Sequence, residues 1–153
     1  MTYFADCFHT LFQHEIHTGQ IAIIDSPEPM NRLPLRFPFL GSKIDWSRTL
    51  DHLTATTSSA DSNANMEQSH FLNQCLAGCN PSTAIFYVND NALEFTSRWE
   101  KSVLLAHSKT LFANIPQHHY FFDEQANWCI CLSSEGLMDF GRSPHDVPKH
   151  AEQ

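Results

Sequence analysis

The sequence predicts an α+β domain: a central, mostly antiparallel β-sheet that ends in a C-terminal β-meander, with helices packed on it. Three observations carry this. Phe4, Phe8, Leu11, Phe12 and Ile16 recur at the spacing of one helix face. The run AIFYV at 84–88 is β-branched and aromatic and reads as a core strand. Three more apolar runs, at 119–122, 128–132 and 137–140, are separated by DEQAN and SSEG, loop lengths that suit hairpins.

Taken in order, the first helix has Thr2 as its N-cap and Gly19 as its stop. The short run 21–24 suits a buried strand. Pro27, Pro29, Pro34 and Pro38 then remove backbone donors and argue against regular helix, while Leu33, Leu35, Phe37, Phe39 and Leu40 are too apolar for a free linker. An extended arm lying over its own domain, with one edge strand, is the expectation. Trp46, Leu50 and Leu53 fit a short helix behind Asp45, and 54–65 contains no large apolar residue and reads as a loop. Helical spacing resumes from Met66 to Gly78. Asn89, Asp90 and Asn91 form a turn cluster after the AIFYV strand. Ser97 and Glu100 have the spacing of a capping box, which predicts a helix over 98–113 that Pro116 stops. Runs at 119–122, 128–132 and 137–140 complete the sheet, and 142–153 has no apolar periodicity and reads as a tail, leaving one domain over 1–141.

Composition excludes several classes. An apolar fraction of 42% with 12% aromatics exceeds that of a disordered chain. A net charge of −8 argues against a basic grip on nucleic acid and favours a cationic partner. The excess is local: residues 1–31 carry four acids and no base, and 84–140 carry seven acids against three bases. No basic segment precedes an apolar run at the N-terminus and no apolar stretch reaches about 20 residues, so the reading is intracellular and without a membrane span. Five cysteines, an odd number, are read as reduced thiols.

Catalytic and metal motifs are weak. His14 and His17 share a helix face but lack the H-E-x-x-H order. Cys75, Cys79, Cys129 and Cys131 would make a four-thiolate zinc site if brought together, but Cys129 and Cys131 alternate with Trp128, Ile130 and Leu132 as in a sheet covered on both sides. The five isolated glycines form no phosphate-binding loop. The reading is therefore a binding protein without cofactor or metal and not an enzyme.

The segments IFYVNDNALEF, SRWEKSVLLAHSKTLF and HHYFFDEQANWCICLSSEGLMDFG resemble the immunity proteins of contact-dependent growth inhibition and related polymorphic toxin systems, over 44–141. Tyr87, Asn89, Trp99, Tyr120, Trp128, Phe140 and Gly141 match that pattern, the aromatics as core and Gly141 as a turn residue. The resemblance implies a bacterial cytoplasmic protein that holds its cognate toxin domain in a tight 1:1 complex. That domain is commonly a basic nuclease, with a tRNase favoured. No contact residue carries over from the family. The expected contact set, from charge and expected exposure alone, is Asp90, Glu94, Asp123, Glu124, Glu135 and Asp139. The alternatives are a small Cys/His hydrolase or zinc-binding protein, and an adaptor with no toxin partner.

Overall fold

A computed structural model describes residues 2–58 and 64–145. Its centre is a seven-stranded sheet in which every neighbouring pair is antiparallel, in the order β1-β6-β5-β7-β8-β9-β4. The strands are β1 (Ile21–Ile24), β4 (Leu50–Thr56), β5 (Ala84–Asn89), β6 (Thr96–Glu100), β7 (His119–Phe122), β8 (Trp128–Leu132) and β9 (Leu137–Arg142). A separate hairpin pairs β2 (Phe39–Leu40) with β3 (Lys43–Ile44).

Strand alternation sorts the side chains to two faces. Ile85, Tyr87, Phe121, Ile130 and Phe140 face helices α1 (Tyr3–Leu11), α5 (Ala64–Leu76) and α6 (Lys101–Asn114), which supply Phe8, Leu72 and Leu104 to the larger core. Phe86, Val88, Phe122 and Cys129 face the other way and pack against Leu33, Phe37 and Ile44 of the arm. Both faces are covered, so β8 is buried along its whole length. The model is thus a compact α+β domain with C-terminal strands, and no helix among the described residues is long and apolar enough to cross a membrane.

At the N-terminus Thr2 caps α1 as expected, its hydroxyl accepting from the Ala5 N–H at 3.2 Å. The helix breaks at Phe12, and α2 (Gln13–His17) finishes the turn. Phe8 and Phe12 meet the edge of the Trp99 indole at centroid distances of 6.0 and 5.1 Å, which fixes this helix on β6.

Several expectations need correction. The proline-rich arm contains two single-turn helices, α3 (Glu28–Asn31) and α4 (Leu33–Arg36), each with a proline in its first turn, where no N–H is required. Its strands pair with each other and not with the main sheet.

The helix expected around Trp46, Leu50 and Leu53 is only a 3₁₀ turn (Trp46–Arg48), and the leucines belong to edge strand β4. Between Leu50 and Leu53 the register advances by three residues on β4 and two on β9, with Asp51 at φ 53°. This bulge places two residues three apart on one side of a strand, which imitates helical spacing. β4 also takes the first residues of the expected loop; 59–63 lie outside the described residues.

Ser97 and Glu100 are strand residues, and α6 begins only at Lys101. The Ser97 hydroxyl accepts from the Trp99 indole N–H at 2.9 Å instead of capping a helix.

The tail is anchored at its start. Arg142 closes β9, the Ser143 N–H donates to the Asn127 carbonyl at 2.8 Å, and Arg36 donates to the His145 carbonyl. Residues 146–153 lie outside the described residues. Gly141 lies within β9 and makes no turn; a Cβ there would meet the Thr49 hydroxyl at 2.5 Å.

Candidate functional site: the acidic end of the sheet

Strand register decides which of the six expected contact acids meet. β5 ends at Asn89, which pairs with His119; His119 pairs with Leu132, and Leu132 with Met138. The loops 90–95 and 133–136 therefore share one end of the sheet, and the turn 123–127 lies at the other. Asp90, Glu94 and Glu135 are brought together at the first end. Asp123 and Glu124 are at the second. Asp139 lies within β9 and is hydrogen-bonded to His52 Nε2 at 2.8 Å.

The first end is tied by short bonds. One carboxylate oxygen of Asp90 accepts from the His118 N–H at 3.0 Å, and His118 Nδ1 accepts from the Ser134 N–H at 3.0 Å. The Glu135 N–H donates to the Ser133 hydroxyl at 2.9 Å, and Gly136, at φ 93°, completes that turn. Glu94 and Glu135 are exposed, and among the described residues none of Asp90, Glu94 and Glu135 forms an ion pair.

Beneath this end lies a buried polar group that sequence reasoning missed. The Tyr87 hydroxyl bonds His119 Nδ1 at 2.6 Å, and Asn89 Nδ2 donates to the Tyr87 oxygen at 3.1 Å and to the Pro116 carbonyl at 2.7 Å. Asn89 Oδ1 accepts from the Ala92 N–H at 3.0 Å, so the group reaches up and fixes the 90–95 loop. Burial lowers the His119 pKa to about 3 and raises that of Tyr87, so both are neutral at ordinary pH. The signal in the sequence was polar residues at inward positions, Tyr87, Asn89 and His119, among strictly apolar ones.

The second end uses one of its two acids internally and leaves the Glu124 side chain exposed. Asp123 accepts from the Asn127 N–H at 2.6 Å and from the Asn127 side chain at 2.9 Å. Arg36, which is buried, donates to the Gln125 carbonyl at 3.0 Å and to Asn127 Oδ1 at 2.9 Å, and Arg32 donates to the Glu124 carbonyl.

The cysteines are divided by the sheet. Cys75 and Cys79 pack on the helix-side core and Cys129 belongs to the arm-side core. Burial pushes Cys75 and Cys131 up to about 12 and Cys129 well above its ordinary value, the reverse of what a nucleophilic thiolate needs. Among the described residues no three His, Cys, Asp or Glu side chains are grouped to hold a metal ion. His14 and His17 stay on an exposed helix surface.

Between the arm and the acidic end the sheet leaves a cleft of about 810 Å³. Its lining includes Asp90 and Glu94 from the expected contact set. The chain matches no protein-family model and no curated protein.

Proposed function

We propose that this chain is an immunity protein. It binds the C-terminal toxin domain of a contact-dependent growth inhibition effector, a basic nuclease with a tRNase as the favoured activity, and blocks it in a 1:1 complex in the bacterial cytoplasm. One observation carries this reading beyond the sequence resemblance: Asp90, Glu94 and Glu135 stand at one end of a two-sided, well-buried sheet with no cationic partner among the described residues. A rigid negative surface of this kind complements the positive cleft with which a nuclease holds its substrate, and it speeds encounter with that cleft. On this reading Asp123, whose carboxylate is held by Asn127 of its own turn, is a poor contact residue, and Glu124 is exposed but stands at the opposite end of the sheet from Asp90, Glu94 and Glu135.

The test is co-expression with the toxin domain encoded by a large effector gene immediately upstream. The expected result is restored growth and a 1:1 complex on size exclusion. Failure to restore growth ends the reading. About one zinc per chain, lost on joint Cys75→Ser and Cys129→Ser substitution, would favour the zinc-binding alternative.

A further inference from the structure

The cleft beside the acidic end has features that charge alone does not explain. Leu33, Val88 and Leu93, all buried, form its floor, and Met30 and Phe39, both exposed, form the wall on the arm. Asp90 and Glu94 stand on the sheet side. Among the described residues the only Lys or Arg lining it is Lys43, on the β2–β3 hairpin across from them, so that lining is net negative. About 810 Å³ lies within the range of sites that enclose a ligand or a group of side chains. An apolar floor with carboxylates at its lip that form no ion pair among the described residues selects one chemistry: an aliphatic or aromatic side chain inserted into the floor, flanked by Lys or Arg.

We infer that this cleft is the anchor site for the toxin, receiving a cationic surface segment that carries one apolar anchor residue. The inference rests on the immunity reading and specifies where the partner is held. A desolvated anchor in a pocket supplies binding energy that rim charges in water do not. Placing the anchor between arm and sheet also makes the arm part of the interface. The Tyr87–Asn89–His119 group beneath the 90–95 loop holds the acidic wall at a fixed distance from the floor, so the site is formed before the partner arrives.

The experiment measures affinity of the purified full chain for the catalytically inactivated toxin domain by calorimetry, with growth rescue in parallel. Phe39→Glu, and Asp90→Asn combined with Glu94→Lys, are each expected to weaken binding at least tenfold. Asp90→Asn keeps an oxygen to accept from the His118 N–H. Glu124→Lys, at the opposite end, and Leu35→Glu, exposed on the arm but outside the cleft lining, are expected to stay within twofold. Unchanged thermal unfolding of each variant shows that folding is not what was lost. Hydrogen exchange on the wild-type complex is expected to protect 28–44 and 88–94.

Wild-type rescue with unaffected binding by the cleft variants overturns the anchor site and leaves the immunity reading standing. No rescue by wild type removes the reading itself. A dimer of this chain, formed without toxin and broken by Phe39→Glu, assigns the cleft to a second copy and overturns the proposal.

Discussion

The two ends of the sheet carry the same residue types and use them in opposite ways. At one end Asp123 caps its own turn, and Arg32 and Arg36 reach over from the arm to bond the carbonyls of Glu124 and Gln125. At the other, one Asp90 oxygen accepts from the His118 N–H, and Glu94 and Glu135 form no ion pair among the described residues. The first end fastens the arm to the sheet, and the second is left with charge to offer a partner. What a carboxylate does here follows from whether its own turn engages it, as at Asp123, and the arginines bind main-chain carbonyls of the turn and not its acids.

Breaking the fastened end should have the largest effect on stability. Arg36→Ala removes a buried guanidinium and its part-buried bonds to the Gln125 and His145 carbonyls and the Asn127 amide oxygen, and is expected to cost about 3 kcal/mol in urea denaturation. A loss below about 1 kcal/mol would show that the arm is not fastened there.

The buried group under the acidic end sets the next effect, through pH. His119 is held neutral in the folded chain down to about pH 3, whereas unfolded it protonates near its ordinary 6.5. Between those values the unfolded state binds the extra proton, so this contribution is complete above pH 6.5 and is lost as the pH falls, by about 2 kcal/mol at pH 5. Denaturation midpoints measured from pH 7 to pH 5 should show the fall, and His119→Phe should flatten it.

Asp123→Ala removes both bonds to Asn127 and is expected to cost about 1 kcal/mol without changing toxin affinity. Equal losses of affinity from Asp123→Ala and from the Asp90 and Glu94 variants would erase the distinction between the two ends. Smallest of all, Glu94→Lys and Glu135→Lys should shift stability by less than about 0.5 kcal/mol, since both side chains are exposed and neither forms an ion pair among the described residues.

Much of the fold was legible where periodicity is undiluted. Strands β5, β7, β8 and β9 and the body of α5 and α6 lie where their apolar runs put them. The start of α6 was misread because Ser97 and Glu100 satisfy a local capping pattern, while pairing of Ser97 by β1 and β5, and of Glu100 by β5, holds them in a strand. β4 was misread because a bulge gave Leu50 and Leu53 a helical interval. In the arm, prolines were read as helix breakers, although at a first turn they are compatible with helix. The acids were identified, but not how they divide. That division was accessible: successive turns of a meander fall at alternate ends, so Asp123 and Glu135 could not share a surface. The anchor cleft was not accessible, because it depends on how the arm lies over the second face.

The sheet's two outermost strands, β1 and β4, both come from before residue 57, and the arm is the connection between them. The arm therefore runs from one edge of the sheet to the other, like a buckle across five strands that are contiguous in the last part of the chain. Among those five, β5–β6, β7–β8 and β8–β9 are hairpins and β5–β7 spans α6, whereas the crossing closes contacts between still more distant parts of the sequence, an ordering in which local pairs form first. Its prolines reduce the freedom it surrenders on closing. In folding kinetics, the loss caused by Arg36→Ala should thus appear almost wholly as faster unfolding, with the refolding rate unchanged.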